Sequence, residues 1–184
     1  MPTILSHTAV PLTLGIGLGN RLIPGRLLLA GIAASILPDL DVLAFRLHVA
    51  YSHILGHRGL SHSILFALAL ACLAWLLAPQ LRSSRPVAFA FIGLATVSHP
   101  LLDMLTNGGQ GVALWWPWSA ERVFAPWRVI EVSPLDIHRV FGPRGLAVIH
   151  SELLWVWLPA TLTCAALLAW RAGHSRFWRQ KTTS

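Results

Sequence analysis

The chain alternates apolar runs with short polar segments. Five apolar runs stand out, at residues 8–18, 27–37, 64–78, 87–105 and 146–170. A helix needs about 20 predominantly apolar residues to cross a membrane. The last run reaches that length alone, whereas the first is short and is interrupted by Gly15 and Gly17. The pattern predicts an all-α fold, a multi-pass transmembrane helical bundle of about four to five apolar helices.

Turn and cap residues mark where these helices begin and end. Pro38 ends the second run, and the glycine-rich segment 107–111 ends the fourth. Ser61 lies just before the third run, where its hydroxyl can accept from amides of the first helical turn. We therefore expect Ser61 to be the N-cap of that helix. The most polar segment, 112–145, holds several tryptophans, which suit the headgroup level of a membrane.

The composition also indicates a membrane protein. Hydrophobic residues make up 55% of the 184-residue chain, charged residues only 11%, and the mean hydropathy is +0.62. A soluble domain carries about 25% charged residues. We expect a single membrane-embedded domain over residues 1–184, with a basic tail from residue 170. The start of the chain lacks the basic region and cleavage site of a removable signal peptide.

The formal net charge is +7, and all but one of the 14 basic residues are arginine. In a membrane protein such charge marks cytoplasmic loops and contacts with anionic headgroups, so membrane lipids are the expected partners. No basic stripe with interleaved aromatic residues is visible, and we expect no nucleic-acid partner. If each apolar run crosses once, the distribution of basic residues favours a cytoplasmic C-terminus.

The same topology brings seven candidate metal ligands to one end of the bundle: His7, Asp39, Asp41, His57, His62, His99 and Asp103. The hydropathy pattern alone does not require this. Imidazole and carboxylate are the usual zinc ligands where no thiolate is available, and Cys72 and Cys164 lie inside apolar runs as packing residues. We expect a divalent metal, zinc first and manganese as the alternative, with ligands enough for one or two ions.

Each of these groups also has a purely structural interpretation. His99 and Asp103 lie one helical turn apart and could only stabilise their helix, although an ionisable residue inside an apolar span is costly without a partner. Asp39 and Asp41 follow a helix C-terminus, where the helix dipole disfavours a carboxylate unless a cation is near. Arg58 either clamps an anionic oxygen such as phosphate or faces the headgroups. These alternatives stay open.

Several motifs resemble those of a known family. They occur in one order along the chain: Ser6-His7, Leu37-Pro38-Asp39-Leu40-Asp41, His57-Arg58-Gly59-Leu60-Ser61-His62-Ser63, Ser98-His99-Pro100-Leu101-Leu102-Asp103-Met104-Leu105-Thr106, Gly109 and Leu114-Trp115-Trp116-Pro117. The chain resembles the YdjM-like family of bacterial membrane-bound metal-dependent hydrolases over roughly residues 6–135. The resemblance implies a multi-pass protein of the bacterial inner (cytoplasmic) membrane.

A more distant resemblance concerns the order of the ligands. An Asp, then a His, then His-x-x-x-Asp is similar to zinc-dependent phospholipase C and related single-strand nucleases. Carried over, Asp39 or Asp41, His57 or His62, and His99 with Asp103 match that order. The chain lacks the N-terminal tryptophan ligand of those enzymes. His150 and Glu152 also have the wrong spacing for their late His-x-x-x-Glu, so we do not expect a complete three-metal site.

These observations predict a membrane-bound metal-dependent hydrolase that acts on a phosphoester, in a lipid or lipid-linked substrate, through metal-activated water. Asp39 or Asp41 is expected to serve as ligand and general base, and Arg58 to stabilise developing negative charge. The first alternative is a non-enzymatic membrane protein that binds or transports a metal. The second is a membrane protein whose polar residues only pack helices. Ligands that cluster at one end favour a site over a channel.

Overall fold

A computed structural model describes residues 1–133 and 142–181, the last part (175–181) by its backbone only. The longer helices are α2 (Ala9–Leu18), α3 (Gly25–Ile36), α5 (Ile64–Leu76), α6 (Arg85–Met104), α7 (Pro143–Glu152) and α8 (Leu158–Lys181). Two single-turn helices, α1 (Ile4–His7) and α4 (Leu43–Arg46), and two 3-10 segments, Leu37–Val42 and Leu60–His62, lie between them. A π-helical segment, Leu153–Trp157, joins α7 to α8.

The predicted all-α class is confirmed. In the described ranges the chain forms no strand, and only two isolated bridges occur, between Thr106 and Ile130 and between Val112 and Val123. Both bridges belong to the polar segment that follows α6. This segment is tied to the loop before α5, because the amide of Ala113 donates to the carbonyl of Arg58 (3.0 Å). The segment therefore closes over one end of the bundle.

The membrane-spanning character is confirmed as well. Within residues 1–133 and 142–181, three helical stretches are long and apolar enough to cross a membrane: Gly25–Arg46, Arg85–Met104 and Pro143–His174. Two shorter apolar helices accompany them, Ile4–Leu18 and Ile64–Leu76. A membrane-spanning segment must pair its own backbone N–H and C=O groups, because lipid offers no hydrogen-bond partners, and a helix does so. Most of the surface of Pro143–His174 is not covered by the rest of the chain, as suits a helix that faces lipid.

The core of the bundle lies between α3, α5 and α6, and α8 packs along α2. Small residues permit the close approach that helices in membranes favour. A Cβ at Gly31 of α3 would overlap the ring of Phe91 in α6. The buried apolar cluster at this level consists of Ile23, Leu27, Ala34, Ala74, Ala78, Ala88, Phe91 and Ile92.

The predicted cap of α5 is wrong by two residues. Ser63, and not Ser61, is the N-cap of α5, since the Ser63 hydroxyl accepts from the amide of Phe66 (3.1 Å). The residues Leu60–His62 form a 3-10 turn before the helix begins. The Ser61 hydroxyl instead donates to Asp41 Oδ2 (2.6 Å). Both serines suit a cap by type, and the preceding 3-10 turn decides between them.

The chain direction explains how the fold forms a site at one end. Helices α3 and α6 end there, so Asp39 and Asp103 lie at their C-termini. Helices α1 and α5 also begin at this end. His7 is the last residue of the short helix α1, and His62 lies just before α5. At the opposite end the chain turns through short segments rich in arginine, glycine and proline. The bundle therefore has one end rich in His and Asp and one basic end.

Candidate metal centre

Four side chains from three parts of the chain converge at the site end. Asp39 lies in the 3-10 segment after α3, His62 precedes α5, and His99 and Asp103 share a face of α6. One possible ligand atom from each lies within 4.8 Å of all the others. Asp39 is 4% exposed and the other three are fully buried. We call these four residues the metal cluster.

Three separations within the metal cluster are those expected of ligands around a small cation. His62 Nε2 lies 3.1 Å from His99 Nε2 and 3.3 Å from Asp103 Oδ2. His99 Nε2 lies 3.4 Å from Asp39 Oδ1. Ligands about 2.0–2.1 Å from a tetrahedral zinc lie about 3.3 Å from one another. The residues present therefore fit one divalent ion.

Hydrogen bonds to the other ring nitrogens orient the two histidines of the cluster. His99 Nδ1 contacts the carbonyl oxygen of Ser35 at 2.7 Å, and because a carbonyl only accepts, Nδ1 must carry the proton. The Nε2 lone pair of a neutral His99 therefore points into the cluster. His62 Nδ1 lies 3.0 Å from Asp41 Oδ2, which leaves its Nε2 to the cluster. A carboxylate or carbonyl behind the ring is the usual support of a metal-ligating histidine.

The electrostatics of His62 follow from the same contacts. Burial disfavours a charged ring, but hydrogen bonds to Asp103 and Asp41 outweigh it and raise the pKa of His62 to about 9. At neutral pH without metal, the His62 ring therefore holds both protons. A metal ligand must present a lone pair, so binding at this position displaces a proton.

The carboxylates carry more negative charge than the neighbouring chain neutralises. Neither oxygen of Asp39 has a hydrogen-bond partner in the described ranges. Asp103 Oδ2 lies 3.0 Å from Nε of Arg58, whose side chain is fully buried. Asp39, Asp41 and Asp103 face this guanidinium and the N-terminal amine of Met1, which lies 3.9 Å from Asp103 Oδ1. Burial lowers the pKa of that amine to about 6, so two negative charges remain at neutral pH when the histidines are neutral, as metal ligands must be. A buried carboxylate without a partner is costly, and one divalent cation would balance this excess.

The comparisons with known proteins agree with this architecture. The family model of the YdjM inner membrane protein matches residues 1–176. The chain belongs to the YdjM family. The inner membrane protein YbcI of Escherichia coli (strain K12) is similar to it, with 48% identity over 172 residues that cover 93% of this chain and 99% of that protein. No solved structure matches.

Membership of the YdjM family confirms the predicted resemblance and the inner-membrane location. The structure also brings all seven candidate ligands of this YdjM-family protein to one end, as the topology predicted. Three of them, His7, Asp41 and His57, lie outside the metal cluster.

Asp41 and His57 lie behind the cluster. Asp41 Oδ1 pairs with His57 Nδ1, while Oδ2 accepts from the amide of Arg58 (3.0 Å) and the hydroxyl of Ser61 and lies beside His62. With both oxygens occupied, Asp41 orients His62 and the loop around it. Between the two acids that the sequence left as alternatives, Asp39 is the one that faces the cluster directly.

His7 lies against the other side of the cluster. Its Nε2 is 3.7 Å from Asp39 Oδ2 and 3.8 Å from Asp103 Oδ1, and its ring stacks on His99 with centroids 3.6 Å apart. Neither ring nitrogen of His7 has a hydrogen-bond partner in the described ranges, and the side chain is fully buried. This histidine is therefore close to both acids of the cluster but held by neither.

Arg58 does not have the free guanidinium that a clamp for a substrate anion would need. Besides Asp103, its guanidinium donates from Nη1 to the carbonyl of Gly108 (2.9 Å) and from Nη2 to Oγ1 of Thr106 (3.0 Å). Its backbone has a φ of 62°, in the left-handed region that is uncommon for a residue other than glycine. The structure shows a buried arginine that fixes Asp103 and the start of the next loop.

Sequence reasoning missed several residues around the site in this YdjM-family chain. Glu152, whose spacing from His150 does not fit a ligand motif, is 4% exposed and accepts from the Thr3 hydroxyl (2.7 Å) and the Ser6 hydroxyl (2.8 Å). It thereby anchors the helix that carries His7. Ser35 supports His99 through a backbone carbonyl, a role that no side-chain pattern reveals. For Glu152 a signal existed, since a lone carboxylate near an apolar run needs partners.

Proposed function

We propose that this protein is a membrane-bound metal-dependent hydrolase that acts on a phosphoester. The observation that carries the proposal is the metal cluster itself: two imidazole nitrogens and two carboxylates, all buried, lie within 4.8 Å of one another. Burial of this set is costly unless a cation compensates it, because the carboxylates lose their hydration. When bound, a divalent metal supplies Lewis acidity and lowers the pKa of coordinated water.

The residues have distinct roles in this proposal. Asp39, His62, His99 and Asp103 hold the ion, and Asp39 is also placed to accept a proton because no donor among the described residues bonds to its oxygens. Asp41 and Arg58 are positioning residues, since they act through His62 and Asp103. Zinc suits the imidazole and carboxylate set, and manganese is the alternative.

The position of the site favours a substrate that carries an anionic group at the membrane surface. The cluster lies where membrane-spanning helices end, beside a loop segment with exposed tryptophans such as Trp115 and Trp118. Tryptophan there suits the headgroup level. A phosphoester of a lipid or of a lipid-linked molecule places its scissile bond at that depth, while its chains remain in the bilayer.

Burial of the metal cluster supports a second candidate function. Three of its four residues are fully buried, and with four protein ligands one ion is coordinatively complete. Complete coordination is typical of structural metal sites, and catalytic sites keep an open position. A membrane protein that binds a metal without turnover is therefore the alternative to a hydrolase.

A hydrolysis assay separates the two functions. Detergent-purified protein, stripped with chelator and reloaded with zinc or manganese, is offered a phosphomonoester, a phosphodiester and a phospholipid in mixed micelles. We expect metal-dependent release of phosphate or alcohol from at least one of them. Asp39→Asn should lose this activity, and His150→Ala should keep it because His150 is exposed on α7. Protein that binds metal but cleaves none of the three substrates would replace the hydrolase with the metal-binding alternative.

A further inference from the structure

We propose that His7 completes a second metal position, bridged to the first by Asp39 and Asp103. This inference rests on the proposed metal centre and deepens it. The rings of His7 and His99 are stacked nearly parallel, with an interplanar angle of 14° and centroids 3.6 Å apart. If two stacked rings have the same orientation, their Nε2 lone pairs run side by side and cannot meet at one ion. Each nitrogen would then bind a separate ion. Paired metals in hydrolytic sites lie about 3.5–4 Å apart.

Asp39 shows that the two rings do point the same way. His99 Nε2 lies 3.4 Å from Asp39 Oδ1, and His7 Nε2 lies 3.7 Å from Asp39 Oδ2. Each histidine therefore faces a different oxygen of one carboxylate. A carboxylate that offers one oxygen to each of two positions is arranged as a bridge.

Asp103 repeats this arrangement independently. Its Oδ2 lies 3.3 Å from His62 Nε2, whereas its Oδ1 lies 3.8 Å from His7 Nε2. Both carboxylates are thus divided between the pair His62 and His99 on one side and His7 on the other. Two bridging carboxylates in the same orientation define two adjacent positions.

The buried and unpaired state of His7 points to a ligand as well. Both of its ring nitrogens are buried without a hydrogen bond in the described ranges, and leaving a buried polar group unpaired destabilises a fold. The contact with His99 satisfies neither nitrogen, because the rings stack face to face. An ion held through Nε2 would satisfy one of them.

The second position differs from the first in its number of ligands. The first has four protein ligands, and the second has three: His7, Asp39 and Asp103. Three protein ligands leave a coordination position for water or substrate, as catalytic zinc sites do. Two divalent ions would also convert the two excess negative charges of the site into two positive ones, which favours an anionic phosphoester.

Loading with Mn²⁺ tests this inference without relying on activity. Chelator-stripped protein in detergent is titrated with Mn²⁺, and bound metal per chain is measured together with the electron paramagnetic resonance spectrum. We expect about two ions per chain and an exchange-coupled spectrum, as a bridged pair requires. In His7→Ala we expect about one ion and the hyperfine sextet of an isolated Mn²⁺. His150→Ala is the matched control and should keep the coupled pair.

The possible outcomes separate this inference from the proposed function. One ion per wild-type chain with an isolated sextet overturns the second position and leaves the first intact. A coupled pair that survives in His7→Ala overturns His7 as a ligand. No bound Mn²⁺ in the wild type, with zinc equally absent after loading, overturns both proposals. If His7→Ala elutes as an aggregate, His7→Gln replaces it, and the wild-type spectrum still decides the number of ions.

Discussion

The two ends of the bundle are built on different physical principles. The basic end packs apolar side chains such as Leu27 and Phe91 around small residues, and its arginines, including Arg21 and Arg82, stay exposed. The site end instead buries His, Asp and Arg side chains at helix ends and in 3-10 turns and loops. Apolar packing stabilises a helical bundle directly, whereas buried charges cost desolvation. The difference indicates that the site end is maintained for its chemistry and the basic end for stability.

Removal of Asp103 should produce the largest effect. Asp103→Ala deletes a proposed ligand and leaves the guanidinium of Arg58 buried without its ion pair. Loss of one partner of a buried pair costs about 3–5 kcal/mol. We expect a clear fall in the thermal unfolding temperature in detergent together with loss of bound metal. If Asp103→Ala unfolds like the wild type, the site end does not depend on buried charge as described.

The pH dependence of metal affinity should be the next largest effect. Because the pKa of His62 is raised to about 9 in metal-free protein, the metal must displace a proton at neutral pH. Affinity should therefore rise with pH up to about 9, and fall about tenfold for each unit below it. Isothermal titration at pH 6, 7 and 8 measures this. An affinity that stays constant over that range would contradict the position of His62 in the cluster.

A change at the basic side of the bundle should separate stability from metal binding. Gly31→Val places a side chain against the ring of Phe91, where a Cβ has no room. Overpacking of this kind costs about 1–3 kcal/mol. We expect a lower unfolding temperature but an unchanged metal content in the folded fraction. Parallel loss of metal and stability would show that the two ends are coupled.

The smallest expected effect concerns the cap of α5. Ser63→Ala removes the hydroxyl that accepts from the amide of Phe66, and such a loss costs about 1 kcal/mol. Ser61→Ala is the informative companion, because Ser61 donates to Asp41 and not to a helix amide. Ser63→Ala should lower stability with little change in metal affinity. If Ser61→Ala lowered stability and Ser63→Ala did not, Ser61 would be the cap after all.

Much of the fold could be predicted because the bilayer restricts what an apolar run can be. The five runs follow from hydropathy and helix length. The common end of the seven polar residues follows only when each run is also taken to cross the membrane once. The family was also evident from the motif around His57 and His62, and the match over residues 1–176 confirms it.

The inner arrangement of the site could not be predicted in the same way. Asp39 and Asp41 are separated by one residue, and which of them faces the cluster depends on the rotation of a 3-10 segment. Arg58 looked free to bind an anion, but its partners Thr106 and Gly108 lie on a distant loop. Such long-range contacts depend on how the loops close over the bundle, and local patterns do not record that.

The central claim is that Asp39, His62, His99 and Asp103 hold a divalent metal, and metal analysis tests it most directly. Detergent-purified wild type, His62→Ala, His57→Ala and His150→Ala are analysed by inductively coupled plasma mass spectrometry after matched folding checks. We predict near-stoichiometric or higher zinc or manganese in the wild type, lost in His62→Ala and retained in His57→Ala and His150→Ala. A folded wild type that holds no metal, even after loading with divalent ions, would contradict the account.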